Sequence, residues 1–481
     1  MRAHRNLLAV AVVCMAALPA SAAWSDRLAL QEQVGAAVED FRKAGSPTLA
    51  IAAVDLRSGQ AILDFDGAFP LVPASNQKLL TAAFALSRLG KDFSFTTSVH
   101  RLGDDILVIG DGDPTFGDPV LAAEAKKTIY DELDRWAAAI RDRFGTKIPG
   151  DLVLCVSWPK DSYRNADWPQ AQWQRWYSAP AASMNFNNNC LDVSFTITGN
   201  QSVPHVLPES RFIQVVNQTR LGRKHAWSAK TNDDDSVLTL SGTVAAASDP
   251  ISVAVDNPPL LLGRTLADRL ARSGVTLGGT IRIAHPDSID WTRTERIAET
   301  TTPLAVVLAR SNKRSLNMAA ECLFLRAGDG TWSGSAAIMT HSLKHIYNVD
   351  TTALVVRDGG GLSRGNRVTA AMIADLLAAV LGRTDASVFL DSLPISGTDG
   401  TMRNRLADAP CRGRVLAKTG YIAGVSALSG YVLDEEGKPA IAFSILVNKA
   451  PSAAKARTFQ DSVCRRLVDY LATPTSQPAA K

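Results

Sequence analysis

Histidine is scarce in this chain: seven in 481 residues, none beyond His345. That excludes a late nucleophile served by a histidine still further along the sequence. Cysteine is also sparse. Of six, Cys14 lies in an N-terminal apolar run, leaving Cys155, Cys190, Cys322, Cys411 and Cys464. Their spacing fits no zinc site, and an odd count leaves at least one thiol unpaired even where disulfides are permitted. Neither charge sign dominates. With 51 Lys and Arg against 47 Asp and Glu the formal net charge is +4, and no basic run is interleaved with aromatics, so nucleic acid is not an expected partner. Beyond the N-terminus no apolar run reaches the roughly eighteen residues of a membrane span, so no stable transmembrane anchor is expected. What remains is an ordinary globular composition, 46% hydrophobic and 20% charged. Its length suggests roughly three domain-sized units.

Arg2 and Arg5 precede an apolar run from Leu7 to Leu18, then Pro19 and Ala20-Ser21-Ala22. Charged start, short apolar stretch and small-residue site form the pattern of a cleaved secretory leader, here residues 1–23, which places the mature protein outside the cytoplasm. A helix is expected from Leu28 to Ala44. A hairpin of strands follows over 48–55 and 61–66. An apolar helix opened by Ser75 runs to Leu89, with Gly90 as its cap. From about residue 93 short strand-like pieces alternate with turns. Trp158 to Trp176 holds four of the nine tryptophans, and Asn185 to Asn189 reads as a turn. This middle region, to about 296, reads as mostly β inserted material with one amphipathic helix, Leu260 to Ala271. Helices return at 303–310 and 317–326, strands at 415–418, 425–433 and 440–448, and a helix at about 453–471. Two early strands and three late ones imply one sheet built from both ends of the chain.

Three short motifs carry chemistry: Ser75-Asn76-Gln77-Lys78, Ser315-Leu316-Asn317 and Lys418-Thr419-Gly420. A serine hydroxyl is a poor nucleophile without a base against it, and helical residues three apart share a face, so Lys78 can reach Ser75. The helix start adds N–H groups and positive potential for a developing oxyanion. Lys78 must be neutral to act as the base; burial beside another cation lowers its pKa, and Lys418 on a strand edge is the expected neighbour. Ser315 can relay a proton to the leaving amine, Asn317 can hold Lys78 and the substrate amide, and Thr419 suits a substrate carboxylate.

Several decoys share these patterns. Ser157-Trp-Pro-Lys160 is spoiled by Pro159, and Ser452-Ala-Ala-Lys455 opens a polar helix with Lys455, Arg457 and Gln460 that belongs on the surface. Ser183-Met-Asn185 sits in a loop with no helix following. Gly361-Leu-Ser363-Arg-Gly365, after a strand-like run, fits a nucleophile elbow but lacks a later histidine. His341 and His345 are one helical turn apart, but Ser342 stands where a zinc protease has Glu, so no metal is expected. Gly110 to Gly117 departs from dinucleotide-loop spacing and reads as a turn. No cofactor is expected.

Together with Gly112-Asp113-Pro114, the run from Asp358 to Arg364, Leu393 to Thr401, Lys418 to Tyr431 and Ala442 to Asn448, the three motifs resemble the class C low-molecular-mass penicillin-binding proteins, which are D-alanyl-D-alanine carboxypeptidases and endopeptidases. The similarity covers nearly all of the mature chain. It implies an α/β fold: a penicillin-binding and serine β-lactamase-like transpeptidase domain, with an antiparallel five-stranded sheet flanked by helices. This catalytic domain would comprise 24–92 and 297–472. Within it an inserted domain (93–174 and 253–296) would hold a nested third domain (175–252), and 473–481 would be a disordered tail.

The resemblance further implies Ser75 as acylated nucleophile, Lys78 as base, Ser315 and Asn317 as the second motif, and Lys418 with Thr419 on the substrate carboxylate. Gly420 completes the third motif, the N–H groups of Ser75 and Tyr421 would form the oxyanion hole, and Arg364 would contact the peptide stem. Peptidoglycan stem peptides are the implied substrate, with D-Ala–diaminopimelate cross-links cut by the same chemistry and β-lactams as covalent inhibitors. Two positions depart from the family pattern: Tyr421 replaces Thr or Ser, and Gly360 replaces a serine. The alternatives are a β-lactamase-like enzyme or D-amino-acid peptidase or esterase of the same fold, and a non-catalytic peptidoglycan-binding scaffold.

Overall fold

The computed structural model of the chain describes residues 18–472. The expected leader lies outside the described residues as far as residue 17, as does the expected tail at 473–481. The first helix, Leu18–Lys43, starts earlier than the expected Leu28.

Both ends of the chain build one five-stranded sheet in the order Val415–Ile422, Val425–Leu433, Pro439–Asn448, Thr48–Asp55 and Ala61–Phe65. Every neighbouring pair is antiparallel, and Thr48 faces Asn448 where the two chain ends meet. Strand alternation splits the side chains between two faces. Ala50, Ala52, Ala427, Tyr431, Ala442 and Leu446 pack into one core. Leu49, Ile51, Leu428, Val432, Phe443 and Ile445 pack into another. Because both faces are covered, all nine residues of Val425–Leu433 are buried.

The first core is made with helices Gln77–Leu89, Leu304–Lys313, Asn317–Ala327, Trp332–Ile346 and Ala370–Leu381. The second is closed by Leu18–Lys43 and Ala453–Ala472, whose Phe41 and Phe459 rings stack at 4.5 Å. The last helix exposes Lys455 and Arg457, as expected, but is not polar throughout. Ala456, Phe459, Val463 and Leu467 bury one stripe, and Gln460 is buried with them.

Residues between these halves form separate sheets. Ile281–Ala284, Leu152–Cys155, Asp105–Gly110, Ser94–Leu102 and Thr294–Pro303 make a mixed five-stranded sheet. It shares a core with helices Pro258–Arg272 and Asp131–Phe144. The second of these helices was not anticipated, although Leu133, Trp136, Ala137 and Ile140 bury one stripe and its ends carry acidic and basic residues in the favourable order. Two three-stranded sheets occupy 190–254 around Leu191, Phe195, Leu238 and Leu240.

Removing the Phe459 ring should cost about 3 kcal/mol or more, the usual penalty for emptying an aromatic site in a core. Thermal unfolding of Phe459→Ala should start well below the wild-type temperature. An unchanged transition would mean that the two terminal helices do not hold the rear of the sheet.

Candidate active site

The Ser75 turn is built by two neighbours. Ser75 sits in one 3-10 turn, Ala74–Asn76, which runs directly into Gln77–Leu89. From Gln77 to Leu86 that helix is buried on all sides, with Leu79, Leu80, Ala82, Ala83 and Phe84 wholly inaccessible, so the turn at its head is held in place. Asn76 then ties the turn to the sheet: its Nδ2 donates to the Lys418 carbonyl at 2.8 Å, and its Oδ1 accepts from Ser429 Oγ at 2.6 Å. Gly420 allows the close approach, since a Cβ there would lie 3.1 Å from the Ser75 nitrogen and 3.0 Å from the Pro73 carbonyl oxygen.

The three motifs meet at this point. Lys78 Nζ donates to Ser75 Oγ at 3.1 Å, to Asn317 Oδ1 at 2.7 Å and to the Gly360 carbonyl at 2.6 Å. Asn317 opens the helix Asn317–Ala327, and its Nδ2 donates to the Tyr177 carbonyl at 2.8 Å. Lys418 Nζ donates to Ser315 Oγ at 2.9 Å and to the Thr419 carbonyl at 2.7 Å. Ser315 itself has φ +57°, a left-handed turn that brings its hydroxyl to Lys418. Thr419 Oγ1 points outward to Thr401 Oγ1 at 2.8 Å. A cleft of about 460 Å³ opens here, lined by Ser75, Ser315, Asn317, Arg364 and Tyr421 and, from the inserted region, by Trp176.

Burial pushes the Lys78 amine down to about 8, against the opposing pull of the Glu321 and Asp358 carboxylates. Burial first, and then the charge of Lys78, lowers Lys418 well below its usual value. Of the two causes expected for a lowered Lys78, burial and the charge of Lys418, it is burial that acts, because Lys78 has no contact with water. A partly neutral amine against a hydroxyl, beside a helix start, can deprotonate that hydroxyl and hold the oxyanion that follows.

Sequence reasoning missed the supporting polar groups. Glu321, one turn after Asn317, accepts from the Gly359 and Gly360 nitrogens at 2.7 and 2.8 Å. Asp358 accepts from the Gly361 and Ser363 nitrogens, from Asn366 Nδ2 and from Trp168 Nε1. Asp358 lies within a motif singled out above, so only its role was hidden. Glu321 looks like any helix-forming residue in an apolar stretch.

The decoys scatter. Ser157, Lys160, Ser452 and Lys455 are exposed. Ser183 Oγ accepts from the Ser157 nitrogen. Ser363 is buried and donates to Asp167 Oδ2 at 2.9 Å, and the run before it forms an isolated bridge, Val355 to Arg367, in place of the expected strand. His341 and His345 are exposed neighbours on Trp332–Ile346. The five described cysteines are buried free thiols. Arg364 is exposed at the cleft and donates to the Ala423 carbonyl. Tyr421 is 54% exposed, with the Arg457 guanidinium over its ring.

Comparison with known proteins gives a consistent answer. The family described as D-Ala-D-Ala carboxypeptidase 3 (S13) matches residues 30–469. A D-alanyl-D-alanine carboxypeptidase of Actinomadura sp. (strain R39) is 33% identical over 505 aligned positions, spanning 96% of this chain and 90% of the relative. The crystal structure of penicillin binding protein 4 from Haemophilus influenzae superposes with a TM-score of 0.76 at 23% identity, over 90% of this chain and 99% of that one. A complex of that protein with a β-lactam gives 0.71 at 22% identity over the same shares.

Ser75 should react with an acylating serine probe faster as pH rises through about 8, where Lys78 becomes the free amine. Lys78→Met should slow the reaction by roughly three orders of magnitude, the scale of a lost general base. A wild-type rate with no ascending limb across this range would contradict a lysine base.

Proposed function

The chain belongs to the D-Ala-D-Ala carboxypeptidase 3 (S13) family and is a serine-type carboxypeptidase of that specificity; from this premise we propose that it shortens and uncrosslinks peptidoglycan stem peptides through an acyl-enzyme on Ser75. The observation that carries the reading is the Lys78 amine, 3.1 Å from Ser75 Oγ and fixed by Asn317 and Gly360.

Lys78 takes the hydroxyl proton as Ser75 Oγ bonds to the carbonyl carbon preceding the terminal D-alanine. The carbonyl oxygen becomes an oxyanion facing the N–H groups of Ser75 and Tyr421. As the tetrahedral species collapses the C–N bond breaks, and the leaving amine receives the proton through Ser315, which Lys418 contacts. Water then attacks the ester. Its proton passes to Lys78 and back to Ser75 Oγ as the C–O bond breaks, releasing the shortened peptide. Lys418 and Thr419, with Thr401 alongside, meet the substrate carboxylate; an anion there restores the charged form of Lys418 that burial disfavours. Gly420 keeps the strand against the nucleophile turn, and Arg364 contacts the stem at the cleft mouth. When the leaving amine belongs to a neighbouring stem, the same steps make an endopeptidase.

On this reading 24–92 and 297–472 form the catalytic unit, and the intervening residues are an excursion that lends the cleft one wall. β-Lactams acylate Ser75 and stay. The leader pattern supports an extracytoplasmic site of action. No helix among the described residues is long and apolar enough to cross a membrane.

Intact-mass analysis after penicillin exposure should show one adduct on the wild type and none on Ser75→Ala. The wild type should also release D-alanine from a D-Ala-D-Ala peptide. An adduct that persists in Ser75→Ala would sink the assignment.

A further inference from the structure

Lys78 is held by a loop that is itself held by a buried acid. Glu321 lies four residues after Asn317 on the same helix, so both side chains project toward Lys78 from one face. Its two oxygens take one N–H each, from Gly359 and Gly360. The opposite edge of the same loop faces the Ser75 helix: the Gly359 carbonyl accepts from Thr81 Oγ1 at 2.7 Å and the Gly360 carbonyl from Lys78 Nζ at 2.6 Å. Glu321 and Lys78 thus grip opposite edges of one short stretch of backbone.

The residue at 360 fits this arrangement. A Cβ on Gly360 would stand 2.5 Å from Glu321 Oε1, so a side chain there would require the carboxylate end to shift.

Building on the Ser75 and Lys78 assignments above, we propose that Glu321 is a positioning residue for acylation: through Gly359 and Gly360 it orients Lys78, and its charge stabilises the ammonium formed when Lys78 takes the Ser75 proton. The ionisable groups around Lys78 are Glu321 from the adjoining helix, Asp358 from the glycine loop and Lys418 from the sheet edge; Asp113 acts on the neighbouring Cys322. Burial and the nearby Asp358 raise Glu321 well above the ordinary carboxylate range, while Lys78 and the two N–H donors favour its ionised form. Neither member of the Lys78–Glu321 pair can change charge without disturbing the other.

The test is the pH dependence of the second-order rate of penicillin acylation for the full-length protein and its Glu321→Gln and Glu321→Asp variants. Loss of the negative charge disfavours the Lys78 ammonium, so in Glu321→Gln the ascending limb should move about one unit to lower pH. The plateau should fall roughly tenfold because the base is weaker and less well aimed. Glu321→Asp keeps the charge and should leave the limb near its wild-type place even if the rate drops. Should Glu321→Gln fail to fold, Glu321→Ala also removes the charge and should move the limb in the same direction. A slower variant whose limb stays at the wild-type pH would reduce Glu321 to packing and overturn the proposal. A wild-type protein with no Ser75 adduct would instead remove the nucleophile assignment, and this inference with it.

Discussion

A lysine amine cut off from water must either lose its proton or be surrounded by acceptors, and Lys78 does some of each. Its three partners come from three places in the sequence: Ser75 in its own turn, Asn317 at a helix start and the Gly360 carbonyl in a loop. Each of those places is fixed by something rigid. The turn is anchored to the sheet by Asn76, the helix is packed in the first core, and the glycine loop is bracketed by Glu321 and Asp358. A buried polar cluster of this kind is worth having only when every member is satisfied, because an unpaired group in low dielectric is costly. The chemistry of the site follows from that condition.

The inserted region contributes to this order. Asn165 Nδ2 donates to the Arg357 carbonyl, Trp168 Nε1 to Asp358, and Asn317 Nδ2 to the Tyr177 carbonyl, while Asp167 accepts from Ser363. Four hydrogen bonds thus fasten the 165–177 stretch to the loop and helix that hold Lys78. The same stretch supplies Trp176 and Tyr177 to the cleft wall. A segment that reads as an excursion in sequence is, in space, part of what positions Lys78.

Local chemistry was easier to read than its support. The spacing of Ser75 and Lys78 is a property of one helical turn and needs no tertiary knowledge. The two-ended sheet followed from apolar strand patterns at 48–55, 425–433 and 440–448, whose residues are buried largely because helices cover both faces. Glu321 carries no such mark, since its significance lies in backbone N–H groups about forty positions away, which only the fold brings near. The direction of the electrostatics was legible, but its weighting had to wait for the structure: burial and a neighbouring lysine were both expected to lower Lys78, and burial proved the main cause for both amines. Helix Asp131–Phe144 was legible in principle from its apolar stripe and its end charges, but the surrounding turns and short strands masked it. Lys455, Arg457 and Gln460 together marked the last helix as polar; the first two are exposed, whereas Gln460 is buried beside an apolar stripe.

In the proposed mechanism one hydroxyl, one amine and two backbone N–H groups form a single acylating centre. A crystal structure of the protein after reaction with a β-lactam tests it most directly. The expected result is an ester on Ser75 Oγ, its carbonyl oxygen within hydrogen-bonding distance of the Ser75 and Tyr421 nitrogens, and Lys78 still beside the ester oxygen. An acyl group on any other residue, or a Ser75 ester whose carbonyl turns away from both nitrogens, would contradict it.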